Sequence, residues 1–251
     1  MPIIYSKSMA YNAVKFPVQL LLNDCISARL TMNSRDTFFT ALRNEWTPFL
    51  TRSGFQGDGE RFQRVTGEVI HTLSLQDSKH GGSCCVNLGV HLSFLPLTAG
   101  GPPQAGVQVR AESCEFQWRL TPPGYTDYWW AYEQGVAAHL QLSMLQEANS
   151  GPLERAHHLA RTYETIGEPA FQRLSTVDQI ANLIKLDDLA KEWRIVPEYS
   201  FLTGRAGLTM ARIHQHLGNH ELARKFAKSG LERVGKARAV RAELEKLLEM
   251  L

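Results

Sequence analysis

The sequence predicts an α+β protein: an amino-terminal helix packed on an antiparallel sheet of about four strands, followed by an all-helical carboxy-terminal region with a tetratricopeptide-like hairpin. Apolar residues recur at helical spacing between Ser34 and Ser53, alternate singly from Glu60 to Leu120, and return to helical spacing from Thr126 to the end. Clusters of Gly and Pro fall at the boundaries between these regimes.

The first helix takes Asn33 or Ser34 as its cap and aligns Phe38, Leu42, Trp46, Phe49 and Leu50 on one stripe. Pro48 predicts a kink, and Gly54 suits the left-handed position that lets Phe55 fold back onto the last turn. Glu60 to Thr66 and Glu68 to Asp77 read as strands around Gly67, and Ser83 to Phe94 as a third after the His80-Gly81-Gly82 turn. Val86, Leu88, Val90, Leu92 and Phe94 mark one face of that third strand. After the GGPPQAG loop, Val107 to Leu120 reads as a fourth, with Cys114, Phe116, Trp118 and Leu120 on one side.

Thr126 or Asp127 is positioned to cap a helix running to about Ala148. Gly151-Pro152 resets the chain, with Leu153, Ala156, Ala160 and Tyr163 on the next apolar stripe. Ser175 and Asp178 start a further helix that Pro197 closes. The run LTMARIHQHLGNHELARKFAKSGLERVG reads as one helical hairpin: Gly218 at the turn, Ala223 where the helices approach and Leu231 on the inner face. Gly207, His214 and Ala227 depart from the tetratricopeptide pattern, which prefers larger residues there. KARAVRAELEKLLEML adds an amphipathic helix with Val240, Leu244, Leu248 and Leu251 on its stripe. The expected segments are therefore residues 1–31, an upstream-start extension or loosely attached arm; 32–126, the sheet domain; and 127–251, the helical domain.

Composition narrows the function. The 251 residues are 43% hydrophobic and 21% charged, ordinary for a globular protein. Lys and Arg number 27 against 25 Asp and Glu, a balance that argues against nucleic-acid binding, although Arg224, Lys225, Lys228, Arg233, Lys236 and Arg238 form a local basic patch. Four cysteines without a C-x-x-C pair predict a reducing cytoplasm rather than a disulfide scaffold. Pro17 and Gln19 interrupt the first apolar run, so neither a signal peptide nor a membrane span is expected.

Pairing of the strands around His71 and Cys85 would bring His71, Cys85 and His91 to one face, a set with zinc-ligand chemistry but without the spacing of a zinc site; no metal or cofactor is expected. Cys84 or Cys85 would need a polar, electropositive setting to act as a nucleophile, and the apolar start of a strand favours buried structural cysteines. Asn87 and Gly89 are unusual inside a strand. They predict either a bulge or close backbone approach, or an amide that touches a ligand. GFQGDG has the wrong glycine order for a dinucleotide fingerprint and follows a helix. YTDYWWAY, with Trp129 and Trp130, reads as a junction anchor or as a binding hot spot. His157, His158, His214, His216 and His220 read as solvated or packing residues on helices.

The segment from about Thr37 to Tyr132 resembles a bacterial family, domain of unknown function 4304. The resemblance rests on L-T-R-S-G-F, E-R-F-Q-R, V-I-H-T-L-S-L-Q-D-S, C-V-N-L-G-V and C-E-F-Q-W-R-L in that order, then Asp127, Trp129 and Trp130. It implies an α+β fold, supplies no catalytic residues, and suggests a small accessory or immunity-type protein of a toxin system. The expectation is a non-catalytic cytoplasmic protein-interaction protein, an immunity- or antitoxin-like inhibitor with a protein partner such as a toxin. Its binding residues would come from Asn87, His71, His91, Arg119, Trp129 and Trp130. The alternative is an enzyme with a cleft near Asn87 that uses His71, His91 or Arg119 as polar groups.

Overall fold

A computed structural model describes residues 33–97, 108–133, 151–191 and 196–251. The expected extension over 1–31, the GGPPQAG loop and the part beyond residue 133 of the helix expected from Thr126 or Asp127 to about Ala148 lie outside the described residues.

Helix α1 spans Ser34–Arg52 and continues through Pro48. It buries Phe38, Phe39, Leu42, Trp46 and Leu50. At its end the Phe55 N–H donates to the Leu50 carbonyl at 2.9 Å and the Gly54 N–H to that of Thr51 at 3.0 Å, with Gly54 at φ 85°. This paired closure turns the buried Phe55 back under the helix, as its sequence predicts.

The sheet contains β1 (Gln56–Asp58), β2 (Arg61–Thr66), β3 (Val69–Asp77), β4 (Ser83–Leu92), β5 (Phe116–Arg119) and β6 (Trp130–Ala131). All pairings are antiparallel in the order β1-β2-β3-β4-β5, and β6 pairs with β4 beyond the end of β5. The two strands not anticipated from sequence are the short ones, β1 and β6. The expected helix start at Thr126 or Asp127 gives way to β6, because Trp130 pairs with Cys84 and the Tyr132 N–H reaches the Gly82 carbonyl at 2.9 Å.

The fourth strand is also shorter than expected. A 3₁₀ turn over Ala111–Ser113 interrupts the alternation, so Cys114 packs with Ile70 and Val109 on one side while Phe116 enters the main core on the other. The β3–β4 register is set by the turn between them: Ser78 N–H donates to the Ser83 carbonyl at 2.8 Å and encloses residues 79–82, with Gly81 at φ 76° and Gly82 at φ 69°. Asp77 therefore faces Cys84, and His71 faces Val90. Val69, His71, Leu73 and Leu75 share a face with Cys84, Val86, Leu88, Val90 and Leu92; Ile70, Thr72, Ser74 and Gln76 share the other with Cys85, Asn87, Gly89 and His91.

The first face is covered by helices. Helix α2 (Pro152–Thr162) begins at Pro152 as predicted, with the Gly151 N–H on Glu154 Oε2 at 3.1 Å. It runs through a π-helical turn, Tyr163–Gly167, into α3 (Glu168–Arg173). The helix expected from Ser175 to Pro197 is instead a short α4 (Val177–Ala181), capped by Thr176, and a 3₁₀ turn over Leu186–Ala190. Asn182 ends α4 by donating its side-chain amide to the Asp178 carbonyl at 2.8 Å.

The carboxy-terminal hairpin pairs α5 (Thr203–His216) with α6 (His220–Arg233), and α7 (Arg238–Met250) packs on both through Leu244 and Leu247. Its closest approach is at glycines: a Cβ on Gly207 would lie 2.5 Å from the Cα of Gly230. That approach is why a larger residue is missing from Gly207. A single hydrophobic core joins the sheet to the helices, with Trp46 against both Phe62 and Tyr163, and Phe171 against Phe55 and Trp118.

Candidate binding site

His71 lies on the helix-covered face, opposite to Cys85 and His91, so the expected trio is not assembled. Its Nε2–H donates to the Leu174 carbonyl at 2.8 Å, and its Nδ1 accepts from Arg64 Nε at 3.2 Å. This bonding fixes a neutral ring. Burial is the main reason that its pKa falls from 6.5 to about 4, with Arg64 adding to the effect. Arg64 also pairs with Glu168 at 2.8 Å, donates to the Ser53 carbonyl at 2.9 Å and lies over the Phe55 ring. The π-helical turn places Tyr163 next to Glu168, and the Tyr163 hydroxyl donates to Glu168 Oε2 at 2.8 Å. Sheet, α1 terminus and helical layer are thus tied by one sealed polar network.

The opposite face carries Asn87. No bulge occurs: β3 and β4 pair residue for residue through Ser74–Asn87 and Thr72–Gly89. Gly89 answers instead to a close backbone approach, since a Cβ there would lie 2.9 Å from Ala111 Cα and 2.7 Å from Cys114 Sγ. The 3₁₀ turn lies directly on the strand. Thr72 Oγ1 donates to the Val109 carbonyl at 2.7 Å, and the Asn87 amide donates to Gln76 Oε1 and Glu112 Oε1, each at 2.9 Å. Both amide hydrogens of Asn87 serve this clasp.

Cys85 and His91 share the Asn87 face but are fully buried. Burial pushes the Cys85 thiol up to about 11, the wrong direction for a nucleophile. His91 Nε2–H donates to the Leu95 carbonyl at 3.1 Å, and burial lowers its pKa. Among the described residues, no three His, Cys, Asp or Glu side chains gather to hold a metal. His71, His91, Asn87 and Arg119 do not converge on one concave site.

Arg119 on β5 pairs with Asn87 on β4, donates to Asp127 Oδ1 at 2.7 Å, and lies 4.9 Å above the Trp129 ring. Trp130 is buried against Tyr128 as a core anchor, while Trp129 is half-buried on Arg119. Here the structure opens. A cleft of about 320 Å³ runs along β5, walled by Trp118, Leu120, Ile166 and Ala170, with Arg119 and Arg173 among its polar residues. An adjoining groove of about 560 Å³ shares Arg173 and Glu198 and continues to Asp178 and Asn182. Arg173 Nη2 contacts Glu198 Oε1 at 3.2 Å, and the Arg173 side chain stays 64% exposed.

The ladder phase gives this cleft its character. Leu120 N–H donates to the Val86 carbonyl at 2.9 Å, so Phe116, Trp118 and Leu120 turn their main-chain groups toward β4. Gln117 and Arg119 then present N–H and carbonyl groups to the outer edge, where no strand pairs among the described residues. Sequence reading selected Arg119 but missed Trp118 and Arg173, which meet at the cleft only through the tertiary fold.

Residues 46–146 match the family model of DUF4304, a domain of unknown function. The sheet segment carries the likeness to DUF4304. The match takes in the end of α1 and all six strands, the portion whose motifs carry the resemblance. Nothing among curated proteins or solved structures matches the chain significantly. No helix among the described residues is long and apolar enough to cross a membrane. The α3 wall of the cleft comes from beyond the DUF4304 match.

Proposed function

We propose that the protein is a non-catalytic, cytoplasmic protein-binding module that engages its partner through the cleft on the outer edge of β5. The observation that carries this reading is the coincidence of outward-facing main-chain groups at Gln117 and Arg119 with an apolar wall of Trp118, Ile166 and Ala170. The polar residues of the enzyme alternative support it less, because His71 is sealed and the Asn87 amide is spent on its clasp. A toxin neutralised by the protein is the partner class that the family resemblance suggests.

The test is capture with the full chain and with Ile166→Glu, which places a charge in the half-buried wall. A partner retained by the wild type, lost by the variant and rebound as a purified protein supports the reading, with thermal melting confirming that the variant is folded. Equal capture by both forms, or a purified partner that binds elsewhere, overturns it.

A further inference from the structure

Building on that reading of the cleft, we infer that its ligand is an extended peptide segment that adds to β5 as a further strand and sets a carboxylate on Arg173. The inference joins a ladder edge that no strand among the described residues pairs to an exposed cation. Alternation along β5 directs the Gln117 and Arg119 main-chain groups outward, a pattern that another extended chain matches residue for residue. Side chains of an added strand alternate too. Those turned toward the helical layer meet Trp118, Ile166 and Ala170, so that wall selects an apolar residue.

Charge selects the neighbour. The Arg119 guanidinium is engaged by Asp127 at 2.7 Å and stacked on Trp129. Among the described residues Arg173 makes one longer ion-pair contact, 3.2 Å to Glu198 through a single nitrogen, and its side chain is 64% exposed at the junction of the two grooves. Its remaining N–H donors are placed to take a carboxylate from a chain lying in the cleft. The position of Arg173 at the end of α3 puts that carboxylate beyond the apolar pocket, at the junction of the two grooves. An acidic residue following or preceding an apolar one along an extended segment fits both.

The experiment uses the full chain and a phage-displayed library of unstructured peptides, with enriched sequences synthesised and their affinities measured. Enriched peptides carry an apolar residue and an Asp or Glu at a constant spacing. N-methylation of alternate peptide nitrogens abolishes binding in one phase and spares it in the other. Arg173→Gln weakens binding about tenfold, the loss of one charge-assisted contact, and replacing the peptide's acidic residue by its amide gives no further loss in that variant. Arg173→Glu, checked for folding by its melting curve, restores binding to peptides bearing Lys at the acidic position. Peptides insensitive to N-methylation, or equally bound by wild type and Arg173→Gln, overturn the inference, as does a dimer of the chain paired edge to edge through β5. If a protein partner is lost in Ile166→Glu yet is unaffected by Arg173→Gln, strand addition with a carboxylate fails while the cleft remains the interaction site.

Discussion

On the helix-covered face of the sheet, Tyr163, Glu168, Arg64 and His71 satisfy one another in a largely buried network; on the opposite face, Gln76, Asn87 and Glu112 make a connected cluster at the surface. The first joins elements about a hundred residues apart and ends on the Leu174 carbonyl. The second pins one short turn to the strand beneath it. Bonds of comparable length therefore carry unequal consequences, because desolvation makes an orphaned buried charge costly while water readily replaces an exposed partner. The buried network fixes where the helical layer docks, and that docking creates the wall beside β5.

The largest expected effect breaks the buried side. Glu168→Ala leaves the Arg64 guanidinium without its carboxylate in a site where the Arg64 side chain is only 14% exposed. Unfolding free energy should fall by about 3–5 kcal/mol, measured by urea denaturation. The double variant Arg64→Met, Glu168→Leu removes both charges and should recover most of that loss. A single variant as stable as the wild type would mean that the network does not hold the layers together.

Acid probes the same network with a smaller effect. His71 is neutral in the folded state with a pKa near 4, against 6.5 when exposed, so the unfolded chain binds more protons between those values. Its contribution is complete above about pH 6.5 and declines as pH falls toward 4, by about 3 kcal/mol over the window. The groups facing it are Arg64, which opposes protonation, Glu168, which favours it, and the Leu174 carbonyl. Denaturation at a series of pH values should show this slope, and His71→Gln should flatten it. An unchanged slope in the variant assigns the acid sensitivity elsewhere.

The sequence made the elements of this comparison legible but not its sides. Helix α1, the β2–β4 strands and the α5–α6 hairpin follow from apolar spacing and from Gly54 and Gly218 at turns. The side occupied by His71 depends on the parity of pairing, and Asp77 opposite Cys84 places odd-numbered β3 residues with even-numbered β4 residues. The expected trio needed the other parity, which the closure of the Ser78–Ser83 turn excludes. Cys114 changed sides for a related reason: a 3₁₀ turn ends the alternation that would have aligned it with Phe116. Arg64 lay in a recognisable strand, yet nothing local linked it to Glu168, whose orientation comes from a π-helical turn. Gly89 was the clearest legible clue, since its missing side chain does mark a close approach, by Ala111.

The smallest effect belongs to the surface clasp. Asn87→Ala removes two hydrogen bonds, to Gln76 and Glu112, from a half-buried site where water can solvate the partners left behind. The cost should be about 1 kcal/mol. Thr72 still holds the Val109 carbonyl and Ala111 still lies against Gly89, so the turn should loosen rather than detach. Hydrogen exchange would register this as faster exchange in residues 108–114 with little change in β2 and β3. A global loss approaching that of Glu168→Ala would erase the distinction between the faces and make Asn87 part of the structural core. A loss confined to the turn instead shows that the Asn87 face can rearrange locally while the helix-covered face, and with it the wall of the β5 cleft, stays in place.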